Sequence, residues 1–314
     1  MQLPKDVGVD VAKDFIVAAF ADQSSSPRQV PNQARALRAW LRTLPAGSRI
    51  AMEATGRYHV LLADLAHEAG FTAYVLNPKD VWYYAKGLGR RGKTDRIDAE
   101  VIASYVADHH PKLKPYTPIS PEQRAIDRLL KRRARLIVLQ GAARATTGDL
   151  TECRRQVKAL LDRFDSLLAE IDRQLQDLTR PLEPLRQSQA RLQKIVGIGP
   201  LTGLSLASTF LRIPFRNGDA VVAYSGFDPR PHDSGRMVGR RRLSKRGPSE
   251  LRRLLYVAAM SAAQTPIWKP IYERYRARGL SSTASYVILA RRILRVAWSV
   301  HSHQTDFDPA RLAA

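Results

Sequence analysis

The 314-residue sequence contains a single cysteine, Cys153. One cysteine excludes a disulfide framework within the chain and a zinc site built on cysteines. The sequence also has no run of 18 apolar residues, no signal-peptide pattern and no lipidation motif. We therefore expect a cytoplasmic protein with no membrane partner.

Acidic residues are scarce. Aspartate and glutamate together number 29, against 51 lysines and arginines, which gives a net charge of +22. An excess of this size indicates a polyanionic partner, most often nucleic acid. The hydrophobic fraction of 44% is ordinary for a globular protein with a real core.

The first hundred residues predict an α/β domain. Alternation of Val7, Val9 and Val11 with small or polar residues predicts the first strand. Further strands are predicted at 15–20, around Gln29 and Val30, at 49–53 and at 71–76, with helices at 34–44, at 58–69 and from 95 onward. Asn77 and Pro78 end the fifth strand, and a glycine- and arginine-rich loop spans 87–92. This order is typical of an RNase H-like fold, the scaffold of many two-metal nucleases and transposases.

Four carboxylates fall at the places where that fold carries its catalytic acids. Asp10 lies within the first strand, Glu53 ends the fourth, and Asp95 and Asp98 share one face of a helix. A buried acid among valines costs several kcal/mol unless it is paired or metal-bound. Such a set suits one or two Mg²⁺ ions. Alternatively, Asp95 and Asp98 only complement the helix dipole, and Glu53 is a surface acid.

Several short motifs point to one particular family with this kind of fold. Residues 8–13 (GVDVAK), 53–56 (EATG), 77–78 (NP) and 93–99 (KTDRIDA) resemble the signature blocks of one family. It is the bacterial insertion-sequence family one-ten of transposases, whose N-terminal domain is of the DEDD, RuvC-like type. The resemblance implies that Asp10, Glu53, Asp95 and Asp98 are catalytic Mg²⁺ ligands.

The middle of the chain predicts long helices. Four prolines in 111–121 indicate a linker, and helices are predicted at 122–143 and 151–178. An antiparallel hairpin or a dimerising coiled coil is one interpretation, and packing of an amphipathic helix on its own domain is the other. The basic cluster 131–135 is either a solvated face or a phosphate contact, and the net charge favours phosphate.

Residues 195–203 (IVGIGPLTG) resemble the turn of a helix-hairpin-helix element, in which backbone amides at a helix start meet a phosphate. A simple turn between helices is the alternative. Leu251, Leu254, Leu255, Ala258, Ala259 and Ala262 predict a core helix further on.

Ser234 is the candidate nucleophile. On its own, the sequence Asp233-Ser234-Gly235 is typical of a turn. Six arginines and lysines in 236–246 would hold a phosphodiester beside it, however, and the block 226–247 resembles the same family's transposase domain, whose nucleophilic serine aligns with Ser234. A serine needs an activating base or metal. No dedicated base is evident, so we expect metal ions held by the four acids to reach Ser234 when the domains meet.

Basic residues near these motifs are the predicted nucleic-acid contacts. They are Lys93, Arg132, Arg133, Arg236, Arg240, Arg241, Arg242, Lys245 and Arg246.

The expected fold class is α/β plus α. We expect an RNase H-like (RuvC-like) DEDD domain at 1–115, a helical hairpin or coiled-coil linker at 116–190, and a mainly α C-terminal transposase domain at 191–314. The last domain would carry the helix-hairpin-helix-like element.

The resemblance implies a transposase or site-specific DNA recombinase of a bacterial insertion sequence. It would join element ends and target DNA through a serine–DNA linkage, guided by a structured bridge RNA, as a homodimer or homotetramer. Two alternatives stay open. One is a metal-dependent, Holliday-junction-type nuclease acting by hydrolysis, with Ser234 a bystander. The other is a non-catalytic nucleic-acid-binding protein.

Overall fold

The computed structural model describes residues 3–22, 25–54, 56–89, 92, 94–230 and 242–312. The chain divides into two compact units, Met1–Pro118 and Ile119–Ala314. Each unit has its own hydrophobic core. The three-domain division with boundaries at 115 and 190 stays a prediction.

A mixed five-stranded sheet forms the centre of the first unit. Its strands are β1 (Asp6–Val11), β2 (Phe15–Phe20), β3 (Arg28–Pro31), β4 (Arg49–Glu53) and β5 (Thr72–Leu76). The spatial order is β3-β2-β1-β4-β5. The β1–β2 and β2–β3 pairs are antiparallel, and the β1–β4 and β4–β5 pairs are parallel. The predicted strands are therefore present, in an architecture that places the ends of β1 and β4 at the same edge of the sheet.

Helices cover both faces of this sheet. They are α1 (Ala34–Leu41), α2 (His59–Glu68), α3 (Pro78–Gly87) and α4 (Asp95–His109). Val7, Val9 and Val11 belong to the core that contains α1 and α2. Ala51, on the neighbouring strand, belongs to the opposite core, which contains α3 and α4. Alternate residues of a strand point to opposite faces, so Gly8 and Asp10 face the α4 side.

Helix α4 lies directly against strand β1 at Gly8. A Cβ atom built on Gly8 would lie 2.1 Å from the Ala103 backbone nitrogen and 2.2 Å from the Ala99 carbonyl oxygen. Real Cβ atoms do not approach backbone atoms this closely. Only glycine therefore allows the helix to sit at this distance from the strand.

Helix α3 was not predicted from the sequence, which indicated only the end of a strand before the 87–92 loop. Asn77 caps this helix, because its side-chain oxygen accepts a hydrogen bond from the Lys79 amide at 2.9 Å, and Pro78 occupies the first helical position. Asparagine followed by proline is a recognised helix start. Asn77 and Pro78 therefore mark the start of α3 as well as the end of β5.

The second unit is mainly helical in its described part. Its helices are α5 (Pro121–Thr146), α6 (Arg154–Thr179), α7 (Glu183–Gln193), α8 (Pro200–Arg212), α9 (Gly218–Ser225), α10 (Ser249–Ala262), α11 (Lys269–Ala277) and α12 (Ser282–Ser302). A short antiparallel ribbon pairs β6 (Pro229–Arg230) with β7 (Arg242–Leu243). The six predicted core residues of α10 are all buried. Trp268 is fully buried and donates its indole N–H to the Val196 carbonyl at 2.9 Å.

Helices α5 and α6 form an antiparallel hairpin. The Arg133 guanidinium makes two hydrogen bonds to the Asp172 carboxylate, at 2.5 and 2.8 Å. Nearer the turn, the Gln140 amide donates to Asp165 at 2.6 Å. These two cross-links fix the register of one helix on the other. In the described part of the chain, no helix combines the length and apolar composition needed to cross a membrane.

The α4–β1 contact generates a stability prediction. Gly8→Ala should lower the free energy of unfolding of the first unit by about 3 kcal/mol, because the added methyl group meets backbone atoms that cannot rotate away. Urea unfolding followed by circular dichroism measures the change. Gly87→Ala is the matched control: nothing lies within 4 Å of its added Cβ, so stability should stay within about 0.5 kcal/mol of the wild type or rise. Equal stability of Gly8→Ala and Gly87→Ala would contradict the close-contact interpretation.

Candidate active site

Two of the predicted acids lie side by side at one edge of the sheet. The parallel pairing of β1 with β4 has Val9 and Met52 as its last partners. Asp10 and Glu53 are the next residue on each strand, so they stand beside each other. Both lie on the sheet face covered by α4, because Asp10 alternates with Gly8 and Glu53 with Ala51. Both are half-buried.

The other two acids reach the same place from α4. Its first turn contains Asp95 and Asp98, and the Thr94 hydroxyl caps the helix by accepting a hydrogen bond from the Ile97 amide at 3.2 Å. Asp95 lies one turn before Ala99, on the side of the helix that touches Gly8. The contact at Gly8 therefore brings the start of α4 to the carboxylate of Asp10.

The pKa of Asp10 reflects the proximity of the other three acids. The pKa of Asp10 is raised from its ordinary value of 3.8 to about 6, mainly by burial and then by the negative charges of Asp95, Asp98 and Glu53, in that order. A hydrogen bond from the Val11 backbone lowers the pKa and only partly offsets these effects. The structure thus brings all four predicted acids into one electrostatic cluster.

The donor set of this cluster consists of carboxylate oxygens, which are the ligands that hard divalent cations prefer. A cation would relieve the repulsion that raises the pKa of Asp10, so the residues fit a divalent metal in charge and chemistry. Within the described residues, no three side chains of histidine, cysteine, aspartate or glutamate are placed closely enough to hold a metal ion as they stand.

Asn32 supports the acid cluster and was missed by the sequence analysis. Its side-chain amide donates to the Ala12 carbonyl at 2.9 Å and to the Tyr58 carbonyl at 3.3 Å. Ala12 follows the strand of Asp10, and Tyr58 lies in the segment that follows Glu53. Asn32 therefore ties together the two loops that leave the acidic edge. A lone asparagine after a strand gave no sequence signal for this role.

The second unit contains the segment with the predicted nucleophile. Ser234 lies in 231–241, outside the described residues. The chain enters this segment from β6 and leaves it into β7, and the two strands pair with each other through Pro229–Leu243 and Arg230–Arg242. The described structure thus provides the stem of the serine-bearing segment.

Polar contacts hold this stem to the helical core. The Ser244 hydroxyl donates to the Asp228 carboxylate, and the Ser244 amide donates to the Asp228 carbonyl at 2.9 Å. Arg252, on α10, donates to the carbonyls of Ser225 at 2.9 Å and of Gly247 at 2.6 Å. Gly247 packs so closely that an added Cβ would lie 1.7 Å from the Tyr224 carbonyl oxygen. Both ends of the stem are therefore anchored to the same helical core.

The predicted nucleic-acid contacts differ in their surroundings. Lys93, Arg236, Arg240 and Arg241 lie outside the described residues. The side chains of Arg132, Arg242, Lys245 and Arg246 are exposed. Arg133 is instead engaged by Asp172 inside the α5–α6 hairpin, a partner that the run of basic residues did not indicate.

The 195–203 turn joins α7 to α8, which pack against each other. Gly197 has a positive φ of 99°, and Gly199 precedes α8 without a side-chain cap. A cavity of about 970 Å³ borders this turn, with Arg180, Arg186 and Arg253 in its lining. The phosphate-binding role of this turn stays a prediction.

Two family models match the chain. One, of the IS110 DEDD type and described as a transposase, matches residues 7–164. The other, described as the transposase IS116/IS110/IS902 family, matches residues 189–275. Together with the acid cluster, these matches define a DNA transposase, an enzyme that recombines DNA. The chain belongs to the IS110 family of transposases, as its motifs predicted.

Similar proteins extend over almost the whole chain. The chain is 25% identical over 323 residues to the pilin gene-inverting protein of Moraxella bovis, covering 96% of this chain and 97% of that protein. It is 28% identical over 342 residues to a probable family 20 transposase of Pseudomonas aeruginosa, covering 96% and 98%. A 44.8 kDa protein of insertion element IS116 from Streptomyces clavuligerus is 27% identical over 183 residues, covering 57% and 43%.

The family matches also bear on the fold, the metal and the substrate. The DEDD domain suggests an RNase H-like N-terminal fold, with which the mixed five-stranded sheet is compatible. It also suggests dependence on a divalent metal. DNA is the substrate of the family's reaction.

The raised pKa of Asp10 predicts a specific pH dependence of stability. Below pH 3.8 Asp10 is protonated in the folded and unfolded protein, and above about pH 6 it is charged in both. Because the folded pKa is the higher, wild-type protein should lose stability relative to Asp10→Asn as the pH rises between these values. In EDTA at about pH 7.5, Asp10→Asn should be more stable by roughly 1–3 kcal/mol, and the gap should close towards pH 4.

Urea unfolding at several pH values measures this gap. Asp14→Asn is the control, because Asp14 is exposed just beyond the same strand, and it should change stability by less than about 0.5 kcal/mol at either pH. A wild type more stable than Asp10→Asn at neutral pH in EDTA would contradict the raised pKa.

Proposed function

We propose that this transposase cuts and rejoins DNA with Ser234 as its nucleophile and with Mg²⁺ held by Asp10, Glu53, Asp95 and Asp98. The observation that carries the proposal is the electrostatic effect of Glu53, Asp95 and Asp98 on Asp10. A fold that places carboxylates together against their repulsion sacrifices stability, and such arrangements are typical of functional sites.

The four carboxylates would hold one or two ions at the edge of the sheet. When bound, Mg²⁺ supplies positive charge that stabilises the phosphoryl oxygens as negative charge develops on them. Asp10 and Glu53 provide rigid ligands because they extend from paired strands. Asp95 and Asp98 provide ligands whose position depends on the packing of α4.

The serine step is a transesterification. The Ser234 oxygen forms a bond to phosphorus, the bond between phosphorus and one deoxyribose oxygen breaks, and the leaving oxygen takes up a proton as the serine hydroxyl loses one. Rejoining reverses the step with the hydroxyl of another strand. The number of phosphodiester-type bonds is unchanged throughout, so the exchange needs no external energy source.

The RuvC-like assignment of the first unit and the transposase-domain assignment of 191–314 are part of the same proposal. Exposed apolar residues on the α5–α6 hairpin support its use as a coiled-coil interface in a homodimer or homotetramer. They are Val138, Leu139, Leu160 and Leu167. A bridge RNA would choose the element ends and the target DNA. The net charge of +22 and the exposed basic side chains support binding of a second nucleic acid.

A hydrolytic nuclease of the Holliday-junction type is the second candidate. It is favoured by one observation, namely that the acid cluster is assembled within the first unit alone. Two-metal hydrolysis needs no residue from the second unit. Only the serine mechanism forms a covalent protein–DNA intermediate, so the presence or absence of this intermediate distinguishes the two functions.

Trapping of a protein–DNA adduct tests the nucleophile. Wild-type protein incubated with Mg²⁺, end-labelled junction DNA and RNA copied from the element's flanks should yield a labelled adduct on a denaturing gel. Ser234→Ala should abolish the adduct because the attacking oxygen is gone, and Asp10→Asn should reduce it by at least about 100-fold because a metal ligand is lost.

Ser166→Ala provides the control for the loss of a hydroxyl. Ser166 lies on the exposed side of α6 and donates to the Asp162 carbonyl, so its variant should form adduct at the wild-type level. Cleaved DNA without adduct, lost in Asp10→Asn but kept in Ser234→Ala, would establish the hydrolytic nuclease instead.

Binding of Mg²⁺ should also be visible without DNA. A ligand that binds only the folded state stabilises it by RT ln(1 + [L]/Kd), which is about 2.7 kcal/mol at 100 times Kd. Mg²⁺ should therefore raise the melting temperature of the wild type by several degrees. Asp10→Asn should show no shift beyond that caused by Na⁺ at matched ionic strength, and Asp14→Asn should respond as the wild type does. An equal Mg²⁺ shift in Asp10→Asn would place the cation elsewhere.

A further inference from the structure

Helix α3 presents two aromatic rings to solvent. Trp82 is 51% exposed and Tyr83 is 56% exposed. Among the described residues, no other tryptophan, tyrosine or phenylalanine side chain is as exposed. Large aromatic residues are usually at least partly buried, so two adjacent exposed rings require an explanation.

Neighbouring residues of α3 anchor the helix and leave these rings outside. Val81 is buried. The Tyr84 hydroxyl donates to Asp108 of α4 at 2.5 Å, and its ring meets the Tyr105 ring edge-on at a centroid distance of 5.2 Å. The helix is thus fixed to α4 through positions 81 and 84. Positions 82 and 83 have no part in this packing.

The two rings are held in a defined arrangement. Their centroids are 4.9 Å apart, with the planes inclined at 75°, which is an edge-to-face contact. The Lys86 ammonium lies 3.9 Å from the centre of the Trp82 ring. This cation–π contact fixes the indole from one side, and about half of the Trp82 surface remains exposed to solvent. A ring already fixed in this way loses little conformational entropy when a ligand stacks on it.

The aromatic pair lies in the chain between two parts of the acid cluster. Helix α3 follows β5, the parallel neighbour of the strand that ends at Glu53. Its other end leads, through 88–94, to Asp95 at the start of α4. Because parallel strands end at the same edge of a sheet, α3 begins at the edge where the acids stand.

The charge around the rings favours nucleic acid over a second copy of this chain. Lys79 and Lys86 are exposed on the same helix, and another copy would bring a net charge of +22 against them. A DNA strand instead brings phosphates to the lysines and bases to the rings. Bases in a duplex are stacked on each other, so the rings suit unpaired bases.

We propose that Trp82 and Tyr83 form a stacking platform for unpaired bases of the DNA strand on which the acid cluster acts. The assignment to that strand rests on the proposed function, whereas the platform itself can be tested without catalysis. Holding bases beside the acids would keep an opened strand in place during exchange.

Binding in EDTA tests the platform in the absence of cleavage. Full-length protein is titrated into labelled single-stranded and duplex DNA of the same sequence, and anisotropy is measured. Trp82→Ala should weaken single-strand binding by about 10-fold, because alanine removes the stacking surface, and should leave duplex binding within about 2-fold. Trp82→Phe should restore most of the affinity, because the ring is kept.

Intrinsic fluorescence supplies an independent signal. Stacking on a base should quench the emission of Trp82. Trp40 and Trp268 are buried and Trp298 packs against Phe210 and Phe215, so these three should contribute little change. The quench on adding single-stranded DNA should therefore be absent in Trp82→Ala. Leu61→Ala is the matched control, since Leu61 is an exposed apolar residue of the same unit, and it should preserve both affinity and quench.

The remaining outcomes would overturn the proposal. Equal weakening of duplex and single-strand binding in Trp82→Ala would indicate general phosphate binding. Tighter binding of single-stranded RNA with the same dependence on Trp82 would assign the platform to RNA. Because the assay contains no Mg²⁺ and no reaction, failure of the serine or metal chemistry would leave these results unchanged.

Discussion

The approach of α4 to β1 at Gly8 is the contact on which the proposed active site depends. It sets the distance from the sheet to the helix that carries two of the four acids. The hydrophobic packing of α4 on the sheet supplies the free energy that holds like charges together. The half-buried position of Asp10 then strengthens the repulsion, because charges interact more strongly away from water. A glycine thus determines an electrostatic property of a carboxylate two residues away.

Support for the acid cluster comes from elements that contain none of the acids. Asn32 joins the loops after β1 and before α2, and Thr94 caps the helix that begins with Asp95. Such backbone contacts restrict the loops without adding charge. The site is therefore defined by strand register, a helix cap and one side-chain bridge, all within the first unit.

Much of the first unit could be predicted because its signals are local. Alternating valines located β1, and proline and glycine located most helix ends. The grouping of the four acids followed from recognising the strand and helix order and the family's motifs. Neither the role of Gly8 nor that of Asn32 could be predicted, since each depends on residues distant in sequence. Asn77 is a recognisable helix cap, but the residues after it show no helical alternation of apolar and polar positions, so helix α3 was not predicted. The ion pair of Arg133 could not be predicted for the same reason, because its partner Asp172 lies 39 residues away.

The anchored ribbon of β6 and β7 has a consequence for how this protein can diverge. Asp228, Ser244 and Arg252 close the stem independently of the 11 residues between Arg230 and Arg242. Loop-closure entropy grows slowly, so doubling the length of such a segment costs only about 0.6 kcal/mol. A change in the number of residues between the two strands therefore adds little to the cost of closing the stem. Relatives can therefore differ in the length of chain between these strands while keeping the ribbon and its anchors, which separates variation in this segment from the maintenance of the scaffold.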